Sequence, residues 1–231
     1  EAYGDEEEFD KTPWLFCMLN NFGGRLGLHG HLDNLANNIP KVFNETKYIA
    51  GIGITPEASV NNPVLYDFLF ETIWQDDASQ KMEVIDLDTW LDDYATRRYG
   101  AESESANQAW DILKETVYKA SLNGLGQGAP ESVVNARPNL TIGAASTWGN
   151  AVISYEKGDL EEAAALLLAD YDKLKDSAGY QYDLANVLQQ VLSNSAQEYQ
   201  KGMSAAFSAK DLDSFKTYSE KFMSVIEDME K

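Results

Sequence analysis

Glu57 is the residue of this chain whose type and position most readily do chemistry. It stands three residues beyond the apolar run Tyr48-Ile-Ala-Gly-Ile-Gly-Ile54, after Thr55-Pro56. In barrels of parallel strands, reactive groups are carried at such C-terminal strand ends. A second run, Trp14-Leu-Phe-Cys-Met-Leu19, leads at once into Asn20-Asn-Phe-Gly-Gly24. The amides of Asn20 and Asn21, an aromatic ring and a glycine pair suit a loop that hydrogen-bonds a polyhydroxylated ligand. The same residue types also suit a tight loop whose Asn side chains satisfy their own backbone. Asn62 offers a further amide just past Glu57. His29 and His31 are two imidazoles without a third cluster of metal ligands near, and their spacing favours a loop role.

The elements that must position these groups follow from periodicity. Tyr48 to Ile54 reads as a buried strand, nearly continuous in apolar and small residues and stopped by Pro56. Gly51 and Gly53 leave room on that strand for another backbone or a ligand. Cys17, inside the other strand, reads as an inert core or pocket-wall residue. Asn62-Pro63 supplies an N-cap and first helical residue, and Leu65, Phe68, Leu69 and Ile73 mark the apolar face that follows. Further helices are expected through Ala106 to Val117, stopped near Asn123-Gly124, and from Leu160 to Leu174 behind an Asp159/Glu162 capping box, Gly158 breaking the pattern before it. Two more are marked by the stripes Tyr182 to Tyr199 and Phe215 to Met229. Trp74, Trp90 and Trp110 read as core residues on helix faces, and Trp148 as core or helix-start packing, with a glycan contact as the alternative. Arg97-Arg98 is either a surface pair or a pin between the helices and the strand-bearing part. Asp67 and Glu71 share a solvated helix face, and residues 124–138 form the long loop.

Several of these stretches are similar to one known family. The segments are Pro13-Trp-Leu-Phe-Cys-Met-Leu-Asn-Asn-Phe-Gly-Gly24, Gly27-Leu-His-Gly30, Gly51-Ile-Gly-Ile-Thr-Pro-Glu57 with Asn62 and Tyr66, and Trp90-Leu-Asp-Asp-Tyr-Ala-Thr-Arg-Arg-Tyr-Gly100. Shorter matches follow in Ala109-Trp110, Val117-Tyr118, Arg137-Pro138 and Tyr180-Gln-Tyr-Asp-Leu184. Together they resemble glycoside hydrolase family 89, the alpha-N-acetylglucosaminidases. The chain departs from the family pattern at Asn20, where many members carry His.

The resemblance implies a mainly α chain with a short parallel α/β part: the last strands of a (β/α)8 barrel, residues 1–78, followed by an all-α helical domain, residues 79–231, incomplete at its C-terminus. It implies a retaining exo-hydrolase that releases terminal alpha-linked N-acetylglucosamine from glycans, with Glu57 as catalytic nucleophile. Asn20, Asn21 and Asn62 are then candidates for glycan or supporting contacts. The acid/base glutamate of the family comes from an earlier barrel strand, and no segment of this chain resembles it. The missing upstream barrel segment is therefore an expected partner, and the chain alone is expected to be inactive. The family needs no cofactor, and no metal site is expected. Members work outside the cytoplasm, which implies a secreted or periplasmic parent. The competing reading is a non-catalytic carbohydrate-binding or protein-interaction module acting through its helices.

Length and composition bound these readings independently. A closed parallel barrel takes eight strands and about 250 residues, and only two convincing strands precede residue 78. The net charge of -20 disfavours nucleic acid and anionic membranes, and its long-range field favours neutral glycans over sulfated ones. No apolar run is long enough to cross a membrane. One cysteine excludes an internal disulfide framework. Asn44-Glu-Thr and Asn139-Leu-Thr fit the glycosylation sequon, which matters only in a eukaryotic secretory pathway.

Overall fold

The computed structural model describes residues 9–20, 25, 27–57, 62–75, 81–119, 128–142 and 151–231. Asn21 and Trp148 lie outside these residues. Two strands, β1 (Trp14–Met18) and β2 (Ile49–Ile54), pair in parallel, with α1 (Leu32–Glu45) as the crossover between them. Helix α2 (Pro63–Ile73) follows β2. The remainder is helical: α3 (Leu87–Tyr99), α4 (Glu104–Glu115), α5 (Lys157–Ala169), α6 (Tyr171–Leu174), α7 (Ala178–Ala209) and α8 (Leu212–Met229).

The two strands are less buried than their composition predicts. Phe16, Met18 and Ile52 face the core, whereas Leu15, Leu19 and Ile54 are exposed and Cys17 is an exposed free thiol. Apolar residues on both faces marked a strand covered on both sides, yet within the described residues only one side is covered. The room left by Gly53 is filled by the paired strand, since a Cβ there would stand 3.0 Å from Cys17 Sγ.

One core cluster runs from the strands into the helices, and a ladder of aromatic rings threads it. Phe68 on α2 meets Trp90 on α3 edge to face at 4.9 Å, and Trp90 stacks on Tyr94 at 5.1 Å. Tyr94 meets Trp110 on α4 edge to face at 5.3 Å, and Trp110 stacks on Tyr118 at 6.1 Å. Each such pair adds about 0.5–1.5 kcal/mol beyond the area it buries. Trp90 and Trp110 are thus core residues as expected, but Trp74 is 81% exposed. It occupies the C-cap of α2, where the apolar stripe of that helix has already ended.

Two helix boundaries depart from the periodicity. Helix α4 ends at Glu115, well before Asn123. Val117 and Tyr118 leave the helix because their carbonyls accept from Gly30 N and Leu32 N, both at 3.0 Å. The expected Leu160–Leu174 helix starts earlier and breaks into two. Gly158 sits in the first turn of α5, Asp159 caps nothing, and the cap position is Glu156 without a side-chain bond. At the break, Asp170 turns its carboxylate to the Ser103 hydroxyl at 2.7 Å.

The two neighbouring arginines have different tasks. Arg97 makes an exposed 3.2 Å pair with Glu71, joining α3 to α2 and worth about 0–1 kcal/mol. Arg98 grips Asp183 of α7 with two bonds, from Nε at 2.6 Å and Nη2 at 2.9 Å. Tyr99 donates to the same carboxylate at 3.1 Å and accepts from Trp110 Nε1 at 2.9 Å. Burial opposes the charge on Arg98, but its bonds to Asp183 outweigh that and raise its pKa.

Candidate active site

The parallel register brings the two loops of interest to one end of the sheet. Met18 pairs with Ile54, and Thr55 N donates to Met18 O at 2.9 Å. Chain direction then carries Asn20 and Glu57 past the same C-terminal edge. Glu57 sits in a bend three residues beyond β2 and is exposed.

Asn20 and Asn62 come from different loops and hold the backbone of the same residue, His29. Asn20 Nδ2 donates to His29 O at 3.2 Å, and His29 N donates to Asn62 Oδ1 at 3.1 Å. Asn62 Nδ2 donates to Gly27 O at 3.1 Å, and the Tyr118 hydroxyl donates to Asn62 Oδ1 at 3.1 Å. Asn62 is 2% exposed and lies in the left-handed region at φ 50°, ψ 49°. It takes the N-cap position of α2, but its side chain makes no cap bond. The amide that sequence reasoning assigned to a helix cap is spent on the 27–30 loop instead. Asn is among the few residues that enter this backbone region at low cost.

His29 and His31 line the same loop, their rings meeting edge to face at 5.0 Å. Burial, then the neighbouring His31 and Arg25, bring the His29 pKa down from 6.5 to about 4. Near neutral pH it is an uncharged imidazole. Burial also lowers His31, against the pull of Asp33 and a backbone bond at Lys119. Among the described residues, no group of three or more His, Cys, Asp and Glu side chains could hold a metal ion. His29 and Leu28 also line a cavity with Arg25, Lys119, Ser154 and Tyr155, between the strand-bearing and helical parts.

Sequence reasoning missed the polar residues that α7 turns inward. Asp183, Gln190, Asn194 and Gln200 are all buried. Gln190 Oε1 accepts from Leu28 N at 3.0 Å, tying the loop after β1 to the helical part. An apolar stripe cannot reveal such residues, since they occupy core positions without apolar side chains.

Comparison with known proteins bears directly on this geometry. Residues 1–76 match the family model described as the alpha-N-acetylglucosaminidase (NAGLU) tim-barrel domain, and residues 90–231 match the model of its C-terminal domain. The chain belongs to the alpha-N-acetylglucosaminidase family. It is 31% identical to human alpha-N-acetylglucosaminidase over 213 residues, 91% of this chain and 27% of the human protein. A family 89 glycoside hydrolase from Clostridium perfringens in complex with PUGNAc superposes with a TM-score of 0.89 at 40% identity, over 98% of this chain and 25% of that one. A structure from the same organism with 2-acetamido-1,2-dideoxynojirmycin gives 0.88 at 41% identity, over 95% and 24%. A third, carrying two Glu-to-Gln substitutions and bound to its substrate GlcNAc-alpha-1,4-galactose, gives 0.89 at 40% identity, over 96% and 24%. The chain therefore spans about a quarter of the length of these family members. Within the family, the mainly helical fold with a two-stranded parallel sheet is the end of the barrel joined to the C-terminal helical domain.

Proposed function

We propose that this chain supplies the nucleophile and part of the glycan pocket of a retaining exo-alpha-N-acetylglucosaminidase, with Glu57 as the attacking carboxylate. The observation that carries this reading is the exposed Glu57 at the C-terminal edge of the parallel pair, the same edge past which Asn20 leads into the loop that it and Asn62 hold. Retention requires one carboxylate to attack the anomeric carbon as the aglycone oxygen leaves with a proton from a second carboxyl group. Water, deprotonated by that second group, then releases the sugar from Glu57. The two carboxyls of such enzymes lie about 5–5.5 Å apart, and the acid/base member belongs to an earlier barrel strand. The bacterial relative bound to its substrate carries two Glu-to-Gln substitutions, which agrees with a reaction run by a pair of glutamates. Asn20 and Asn62 serve the glycan through the loop they hold, and Asn21 stays a candidate for a glycan or supporting contact.

The test uses the parent protein extended upstream through a complete barrel, with 4-nitrophenyl alpha-N-acetylglucosaminide as substrate. The parent should release nitrophenol, Glu57→Ala should lose nearly all turnover, and residues 1–231 alone should be inactive. Turnover that survives Glu57→Ala would remove Glu57 from the centre. A well-folded parent without turnover would move the reading to a binding module.

A further inference from the structure

We infer that Gln190 and Tyr118, two buried polar residues of the helical part, are positioning residues for hydrolysis, acting through the loops that flank Glu57. This rests on the proposed role of Glu57. From α7, Gln190 Oε1 accepts from Leu28 N at 3.0 Å, and its Nε2 donates to Asn194 Oδ1 at 3.0 Å. Asn194 Nδ2 in turn donates to the Tyr155 hydroxyl at 3.1 Å, in the wall of the cavity that His29 lines. Gln190 is 6% and Asn194 3% exposed. Amides in such positions are costly unless every polar atom is paired, and an apolar side chain would hold α7 in the core more simply. What the amide relay achieves, and an apolar residue could not, is the placing of the Leu28 peptide.

Tyr118 reaches the same loop from the other side. Its ring stacks on Trp110 in the core, and its hydroxyl donates to Asn62, five residues beyond Glu57. Asn62 passes the constraint to Gly27 and His29. Three successive peptides, 27 to 29, are thus fixed by side chains from β1's loop, the start of α2, and α7. The backbone approach is close, because a Cβ on Gly27 would stand 2.9 Å from both Ala129 Cβ and Gln190 Oε1. The helical part sets the shape of the loop beside the nucleophile, and a displacement of about 1 Å there is enough to cost a large factor in rate.

The experiment measures kcat and KM on 4-nitrophenyl alpha-N-acetylglucosaminide for the full-length parent and for Tyr118→Phe, Gln190→Leu and Gln190→Glu. Tyr118→Phe keeps the ring and removes only the bond to Asn62. It should lower kcat about tenfold while KM moves less than about twofold. Gln190→Leu should lower kcat/KM by about tenfold to a hundredfold, and Gln190→Glu, which keeps the acceptor for Leu28, should recover part of it. An active parent, silenced by Glu57→Ala but unchanged in kcat and KM by Tyr118→Phe and Gln190→Leu, would overturn the inference alone. An inactive but folded parent would overturn the assigned activity and the inference with it. Should Gln190→Leu not fold, Tyr118→Phe decides the matter by itself.

Discussion

Replacing Asp183 by Ala should destabilise the chain more than almost any other single polar change. Three donors converge on this carboxylate: Arg98 Nε, Arg98 Nη2 and the Tyr99 hydroxyl. The side chains of Arg98 and Asp183 are 19% and 7% exposed, so water replaces the lost partner only in part. Removing one member of such a buried pair costs about 3–5 kcal/mol, because the other charge stays buried and unpaired. For a chain of this size, 1 kcal/mol shifts the melting midpoint by about 2–4 °C, so Tm should fall by roughly 6–20 °C. Urea unfolding is the direct assay, with a lower midpoint and an unchanged slope marking a stability effect alone. The double change Arg98→Met with Asp183→Leu removes both charges and keeps apolar volume, and it should recover most of the loss. The reasoning fails if Asp183→Ala costs less than about 1 kcal/mol, or if the double variant is as unstable as the summed singles.

The folded state keeps His29 neutral, with a pKa lowered from 6.5 to about 4, so protons bind the unfolded chain more tightly in that interval. Stability should be complete above pH 6.5 and decline toward pH 4 by up to about 3 kcal/mol, and Gln at position 29 should flatten the profile measured by urea titration. Gly179→Ala would place a Cβ 2.7 Å from the Arg98 carbonyl oxygen, a backbone atom that cannot swing aside. A loss of about 1–3 kcal/mol is expected in thermal unfolding. Trp74→Ser, at an 81% exposed position, should change the stability of this chain by less than about 0.5 kcal/mol, whereas Trp90→Ala in the core should cost about 3–5 kcal/mol.

Much of the fold was legible because its elements advertise themselves locally. Both strands, the Pro63 start of α2 and the stripe of α8 follow from apolar runs, proline geometry and period alone. The early end of α4 was not legible, since it is decided by Gly30 and Leu32, which take the carbonyls of Val117 and Tyr118. The Asp159/Glu162 pattern misled for a related reason: a capping box acts only where the chain enters a helix, and here the helix begins before Gly158. At the candidate site, the strand-end placing of Glu57 and Asn20 could be read from residue types. The use of Asn62, Gln190 and Asp183 could not, because each is defined by a partner far away in sequence.

That distance has a consequence during synthesis. Helices α7 and α8 form a hairpin of neighbours, with Gly202 seated against the Tyr218 ring only 16 positions on, and local contacts of this kind form early. Leu28 and Gln190 are 162 positions apart. At about 5–20 residues per second, roughly 10–30 s separate the emergence of the loop from that of the residue that holds it. For that interval the nascent strands present their apolar faces without the loop geometry that the finished chain gives them. Arrest of translation before α7 should therefore yield nascent chains whose Leu28 amide exchanges freely, an effect ending once Gln190 has left the ribosome.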